Sequence, residues 1–229
     1  MKRYIICFFL FLASQISAVE KMPTPSEAWQ RLKDGNQRFL SGKRDCSINL
    51  LTELEKAKEK QTPYAAILCC SDSRIPTELI FDESLGKLFV IRVAGNIASD
   101  ITIGSVEYAV EILKVPLVVV LGHESCGVLV AGLKGQQAHL PPFVNDLLNE
   151  VSRSVMETKK ESQDFSVELP MAIALNAELQ LQELLEKSEV LKQAAETKKT
   201  LFKAAIFHFD GKIEWCPCSG SNKTAHRKH

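Results

Sequence analysis

Three short apolar runs shape the first part of the chain, and each is followed by a polar turn. The runs are Tyr64–Cys70, Lys87–Val93 and Pro116–Leu121. They are too short for helices, and the first has the composition of a strand that is buried on both faces. Because helical patterns separate these strands, the connections between them predict a parallel sheet. The sequence therefore predicts an α/β fold, with a central, mainly parallel β-sheet flanked by helices.

The other predicted elements surround this sheet. Helices are predicted, with Ser26 as the first N-cap, over Ser26–Gly42, Leu50–Gln61, Pro76–Phe81, Thr102–Leu113, Asn145–Lys160 and Glu168–Lys187, with a further one from Gly127. A last strand, Leu201–Phe209, is followed by an Asp210-Gly211 turn and a return arm, Lys212–Trp215.

The N-terminus has the pattern of a secretory signal peptide. Lys2 and Arg3 precede an apolar run, Tyr4–Ala13, and the segment after it ends in the small residue Ala18. This run is short for a membrane span, and an uncleaved anchor or a buried N-terminal helix is the alternative. We expect cleavage after Ala18, which predicts a periplasmic or secreted protein without stable membrane insertion.

The chain has one predicted domain. Residues 1–18 are assigned to the signal peptide, residues 19–218 to the domain and the polar residues 219–229 to a disordered tail. Lys plus Arg and Asp plus Glu number 28 each, so the formal charge is zero. This balance gives no indication of a nucleic-acid partner.

Metal-ligating side chains follow two of the predicted strands. Cys70 ends the first run, and His123 and Cys126 follow the third. Since ligand sites in α/β sheets lie at the carboxyl ends of strands, the two loops can converge there. Two thiols and one imidazole suit zinc, and a three-ligand set leaves the fourth position for water, as in catalytic sites.

A carboxylate and a guanidinium lie within four residues of the first cysteine. Asp72 and Arg74 could hold and orient a metal-bound water, which favours a zinc enzyme. Each residue alone has an ordinary interpretation: Cys69 or Cys70 as a small core side chain, and Asp72 with Arg74 as a solvated pair. The combination of the two motifs favours the metal site.

These motifs resemble those of the β-class carbonic anhydrases. The segments that resemble the family, in order, are Cys70–Asp82, Gly86–Asn96, Gly104–Val110, Val118–Val128 and Phe209–Ile213. The resemblance covers about Ser26 to Trp215.

The resemblance implies reversible hydration of carbon dioxide to bicarbonate and a proton by zinc-bound hydroxide. One zinc ion per chain would be held by Cys70, His123 and Cys126. Asp72 would accept a hydrogen bond from the hydroxide, and Arg74 would keep Asp72 ionised and oriented.

Three further positions resemble substrate-pocket residues of a plant-like subgroup of the family. Gln61 would hydrogen-bond substrate, and Phe89 and Tyr108 would supply apolar and phenolic walls. A solvent-exposed Gln61 and a Phe89 that is plain core packing are the alternatives. Ile67 stands where another subgroup has a tryptophan that belongs to an inhibitory bicarbonate site.

The resemblance also implies a homodimer or homotetramer. The N-terminal helices, between Ser26 and Gln61, would pack on a partner subunit, and Gln61 and Tyr108 would complete an active site across the interface. Long amphipathic helices carry more apolar surface than one small sheet would cover, which favours the same assembly.

Some residues depart from the family pattern. Glu124 stands between His123 and Cys126, where it could perturb a proton relay. Cys216 and Cys218 have no family counterpart, and a disulfide with Cys46 or a redox role is open.

Two rival functions remain for this sequence. One is hydrolysis of carbon disulfide or carbonyl sulfide, and the other is zinc binding or sensing by a protein without turnover.

Overall fold

The computed structural model describes residues 21–45, 50–136 and 140–217. Nine α-helices and five strands lie in this part of the chain. The helices are α1 Pro25–Ser41, α2 Leu50–Ala57, α3 Thr77–Ile80, α4 Asp100–Glu107, α5 Gly127–Leu133, α6 Pro142–Glu150, α7 Ser152–Glu161, α8 Phe165–Lys187 and α9 Glu189–Glu196. The strands are β1 Ala65–Cys69, β2 Leu88–Arg92, β3 Leu117–His123, β4 Leu201–Phe207 and β5 Ile213–Trp215.

The strands form one sheet in the order β2-β1-β3-β4-β5. The first four are parallel, and β5 pairs antiparallel with β4. Cys69 is paired with Leu121, so the ends of β1 and β3 lie side by side. This register brings the turns after the two strands to the same edge of the sheet, as parallel pairing requires.

The two central strands form the middle of the core. All five residues of β1 and all seven of β3 are buried, which confirms the double-sided burial inferred for β1. Helices cover the sheet, and α8 contacts both β3 and β4. The predicted α/β fold is therefore confirmed.

Helix α1 packs closely on the segment that follows α3. A Cβ atom at Gly35 would lie 1.9 Å from the Phe81 carbonyl oxygen, so this position admits only glycine. Asn36, which is buried, donates from Nδ2 to the carbonyl oxygen of Gly211 at 2.9 Å. The first helix is thus joined to the hairpin between β4 and β5.

The first helix begins earlier than predicted, and Ser26 is not its cap. Thr24 Oγ1 accepts a hydrogen bond from the Glu27 amide at 3.3 Å, and the Glu27 carboxylate accepts one from the Thr24 amide at 2.7 Å. This reciprocal pair is a capping box, which needs its two members three residues apart. Thr24 meets that spacing, and Pro25 fills the first helical position.

The helix predicted over Asn145–Lys160 is two helices. The break is at Val151, whose ψ of 2° departs from the helical value. Ser152 and Ser154 donate their hydroxyls to the carbonyl oxygens of Asn149 and Val151, at 2.6 and 2.7 Å. These local bonds compete with the helical ladder and account for the break.

Other helices also differ from prediction. Helix α2 has no buried residue and ends at Ala57, which leaves Gln61 in the segment before β1. The predicted Thr102–Leu113 helix changes at Tyr108–Ile112 into a π-helical turn. The sequence reading missed α9, which is capped by Ser188 through a hydrogen bond from the Leu191 amide at 3.1 Å.

The predicted signal peptide (residues 1–18), the polar tail (219–229), Cys46 and Cys218 lie outside the described residues. Among the helices that the structure describes, none is long and apolar enough to cross a membrane.

Candidate metal centre and its surroundings

Cys70, His123 and Cys126 come together at the carboxyl edge of the sheet. Cys70 directly follows β1, His123 ends β3, and Cys126 precedes α5. Their ligand atoms all lie within 4.8 Å of one another, and all three residues are buried. A left-handed residue, Ser125 with φ of 57°, turns the chain between His123 and Cys126.

The His123 ring presents a free nitrogen to this cluster. Nδ1 lies 2.9 Å from the carbonyl oxygen of Glu124 and must carry the proton, because a carbonyl only accepts. Nε2 is therefore a lone-pair acceptor, and it is buried without a partner in the described chain. A buried acceptor of this kind fits a metal ligand, whose other ring nitrogen is usually bonded to a carbonyl or carboxylate.

The two thiols of the cluster lie close enough to affect each other's pKa. A hydrogen bond from the Cys126 thiol, the largest cause, lowers the pKa of Cys70 against its burial. The same bond and burial raise the pKa of Cys126. Close thiols and an imidazole lone pair form a donor set that suits zinc. Within the described residues no carboxylate joins this group, so the three residues would leave a fourth ligand position to water.

Asp72 and Arg74 form a bidentate pair beside the cluster. Arg74 donates from Nε to Oδ1 of Asp72 at 2.9 Å and from Nη2 to Oδ2 at 2.7 Å. The Arg74 backbone amide also donates to Oδ1, at 2.9 Å. The hydrogen bonds from the Arg74 side chain, more than any other cause, hold the pKa of Asp72 well below its usual range. The carboxylate is therefore ionised and fixed in orientation.

The hairpin after β4 supplies a wall that the sequence did not reveal. The Arg74 guanidinium lies over the Phe209 ring, 4.4 Å from its centroid, and the His123 ring is 6.5 Å away. The Phe209 amide donates to Oε2 of Glu124 at 2.9 Å. Glu124, considered above as a group that could perturb a proton relay, thus binds the backbone of the hairpin. The one sequence feature that could have indicated this contact is the acidic residue Glu124 directly after His123.

The three predicted substrate-pocket residues have different settings. Phe89 in the edge strand β2 and Tyr108 at the π-helical turn bring their rings to 5.9 Å. Tyr108 is 45% exposed, and Phe89 is half-buried. Gln61 is exposed in the segment between α2 and β1. The structure thus brings Phe89 and Tyr108 together and leaves Gln61 at the surface.

The remaining described cysteines do not belong to the cluster. Cys69 and Cys216 are buried and free. Burial raises the pKa of each thiol to about 12, so both are protonated at neutral pH. Cys69 is thus a core residue, in agreement with the alternation along the strand.

Comparison with known proteins identifies the family. A family model described as carbonic anhydrase matches residues 65–213, which is more than half of the chain. A carbonic anhydrase of Mycolicibacterium smegmatis is 41% identical over 138 residues, covering 59% of this chain and 67% of that protein. Carbonic anhydrase 2 of Mycobacterium tuberculosis is 40% identical over 139 residues, covering 60% of this chain and 67% of that protein.

Solved structures identify the class. A tetrameric β-carbonic anhydrase of Sordaria macrospora superimposes with a TM-score of 0.66 at 26% identity, over 72% of this chain and 86% of that one. The β-carbonic anhydrase CcaA gives a TM-score of 0.65 at 27% identity, over 84% of this chain and 93% of that one. The chain belongs to the carbonic anhydrase family, in its β class.

Proposed function

We propose that this protein is a zinc-dependent carbonic anhydrase that catalyses the reversible hydration of carbon dioxide to bicarbonate and a proton. One observation carries the proposal: the buried cluster of Cys70, His123 and Cys126 has a free lone pair at His123 Nε2 and lies beside an oriented, ionised Asp72.

The three residues of the cluster would hold one zinc ion per chain. Zinc bound there would act as a Lewis acid that makes water nucleophilic near neutral pH. Asp72 can then accept a hydrogen bond from the nucleophile and orient its lone pair toward carbon dioxide. Arg74 keeps that carboxylate ionised and prevents its rotation through two parallel hydrogen bonds.

The substrate pocket would be that of the plant-like subgroup. Phe89 and Tyr108 would form one wall, and their ring contact of 5.9 Å supports a common surface. Gln61 would donate a hydrogen bond to carbon dioxide or bicarbonate. Because Gln61 is exposed in the single chain, we infer that it reaches the site of a neighbouring subunit.

We infer that the working form is a homodimer or a homotetramer. The fold relative from Sordaria macrospora is tetrameric. Leu50, Leu51 and Leu54 of α2 are 59%, 79% and 54% exposed, and Ile112 beside Tyr108 is 61% exposed. Apolar side chains grouped on one short helix are expected to be covered by another subunit.

We further propose that the protein is exported. The basic, apolar and small-residue pattern before Val19 supports a cleaved leader. N-terminal sequencing of protein from its natural host should find Val19 as the first residue, and an intact Met1 on soluble protein would disprove export.

Stopped-flow measurements on the zinc-replete protein test the proposed reaction. We expect rapid hydration of carbon dioxide and no comparable hydrolysis of carbon disulfide or carbonyl sulfide. Asp72→Asn should keep its zinc and lose about 100-fold in rate, since misplacing a reacting group has a cost of that order. Faster turnover of a sulfur substrate would favour the rival hydrolase, and an unchanged rate in Asp72→Asn would remove Asp72 from the mechanism.

A further inference from the structure

The turn after β2 makes a hydrogen bond to one of the candidate metal ligands. The Gly95 amide donates to Sγ of Cys70 at 3.4 Å, and both groups are buried. Gly95 has φ of 78°, in the left-handed region that favours glycine. The position of this amide therefore depends on the conformation of the turn at residues 94–98.

Two amide side chains of α8 hold that turn. Asn176 donates from Nδ2 to the carbonyl oxygen of Gly95 at 3.0 Å. Gln180 accepts from the Ala98 amide through Oε1 at 2.7 Å and donates from Nε2 to Oδ1 of Asn176 at 3.4 Å. The two side chains are one helical turn apart, and only 1% and 6% of their surfaces are exposed.

The hydrogen-bonding groups of Asn176 and Gln180 match the backbone groups of the turn. Burying an amide is unfavourable unless both its ends are bonded, and an apolar side chain would fill the same space without that requirement. At Asn176 the donating end faces a carbonyl, and at Gln180 the accepting end faces a backbone amide. Each residue thus matches the group that the turn presents to it.

We propose that Asn176 and Gln180 are positioning residues for the Cys70 sulfur, acting through the Gly95 amide. This inference rests on the proposed zinc function. A hydrogen bond from an amide to a thiolate withdraws charge from the sulfur and fixes its direction. Outer partners of this kind typically change metal affinity or activity 10- to 100-fold when they are removed.

The test uses side chains of similar size that differ in hydrogen-bonding groups. Asn176→Leu removes the donor to Gly95, and Gln180→Met removes the acceptor for Ala98. Gln180→Glu keeps an acceptor oxygen in either protonation state. Gln182→Met is the matched control, because Gln182 lies on the same helix but is exposed and bonds only to Glu186 among the described residues.

Two quantities are measured: the zinc affinity, by chelator competition, and the thiolate-to-cobalt absorption of the Co²⁺-loaded protein. Both are measured on variants whose circular dichroism matches that of the unaltered protein. We expect Asn176→Leu and Gln180→Met to bind zinc about 10- to 100-fold more weakly and to shift the cobalt band. Gln180→Glu should stay within about threefold of the unaltered protein, since its acceptor is kept. Gln182→Met should change neither readout.

Unchanged affinity and spectrum in Gln180→Met would overturn the proposal, as would equal losses in Gln180→Glu and Gln180→Met. The Gln180 comparison decides the matter even if Asn176→Leu does not fold. These readouts need no turnover. A protein that shows the expected shifts but does not hydrate carbon dioxide would contradict the proposed function and leave this inference standing.

Discussion

Arg74 is held from two sides, and the second side is an aromatic ring. Its guanidinium donates to Asp72 on one side and lies over Phe209 on the other. Glu124 in turn fixes the Phe209 backbone. Because the Arg74 side chain is about half exposed, the ring restricts a group that could otherwise leave Asp72 for solvent.

We therefore expect Phe209→Leu to lower the hydration rate about two- to fivefold, the size of an exposed cation–π contact, without loss of zinc. Stopped-flow kinetics with elemental analysis measure both quantities. Phe143→Leu is the control, since Phe143 is 85% exposed on α6. A rate in Phe209→Leu equal to that of the control would show that the ring does not position Arg74.

At this scale the sequence predicts the ligands better than their supports. Cys70, His123 and Cys126 could be found because each lies at the end of a strand or within three residues of it, so local order suffices. The contact of Phe209 with Arg74 depends on the register of β3 on β4, where His123 pairs with Phe207. A short stretch of sequence does not indicate which residues of two distant strands pair with each other. Asn176 and Gln180 could not be found either, because the backbone groups that they bind, in Gly95 and Ala98, are distant in the sequence.

At the scale of elements, the attachment of α1 depends on a buried carboxylate. Glu83, whose side chain is 3% exposed, accepts from Nε and Nη2 of Arg31, each at 2.8 Å. Tyr64 also donates to it, at 2.7 Å. Burial, more than the charge of Glu83, raises the pKa of Tyr64, so its hydroxyl remains a donor at ordinary pH.

Arg31→Met should lower the free energy of unfolding by about 2–3 kcal/mol. Breaking a buried ion pair costs about 3–5 kcal/mol, and we expect less here because one third of the Arg31 side chain is exposed. Arg153→Met is the matched control, since Arg153 pairs with Glu157 at the surface and should contribute less than about 1 kcal/mol. Equal urea midpoints for the two variants would contradict this account.

Element type was predictable from the sequence more often than element length. The four parallel strands follow from short apolar runs, whose burial leaves little choice of conformation. The break at Val151 depends on two serine hydroxyl bonds, and the capping box at Thr24 depends on two reciprocal bonds with Glu27. The spacing of apolar residues, on which the helices were predicted, does not indicate such hydrogen bonds.

For the whole molecule, the exposed leucines of α2 make assembly the main expectation. Leu51→Glu places a charge at a side chain that is 79% exposed in the single chain. If α2 packs on a partner, the variant should dissociate, because a buried unpaired charge opposes association. Hydration activity should fall with it if Gln61 acts across the interface.

Light scattering and kinetics at the same dilute concentration measure the two effects together. Met156→Glu is the control, because Met156 on α7 is 58% exposed. It should change neither the oligomeric state nor the hydration activity. A monomeric Leu51→Glu protein with full activity would rule out a shared active site.

Zinc titration of the metal-depleted protein tests the central claim most directly. Hydration activity should rise linearly with added zinc and reach its limit at about one ion per chain, since three ligands form one site. Cys126→Ala should bind little zinc and show no activity, whereas Cys69→Ala, which alters the buried thiol beside Cys70, should keep both. Activity that does not depend on zinc, or a full zinc content in Cys126→Ala, would contradict the assignment of this centre.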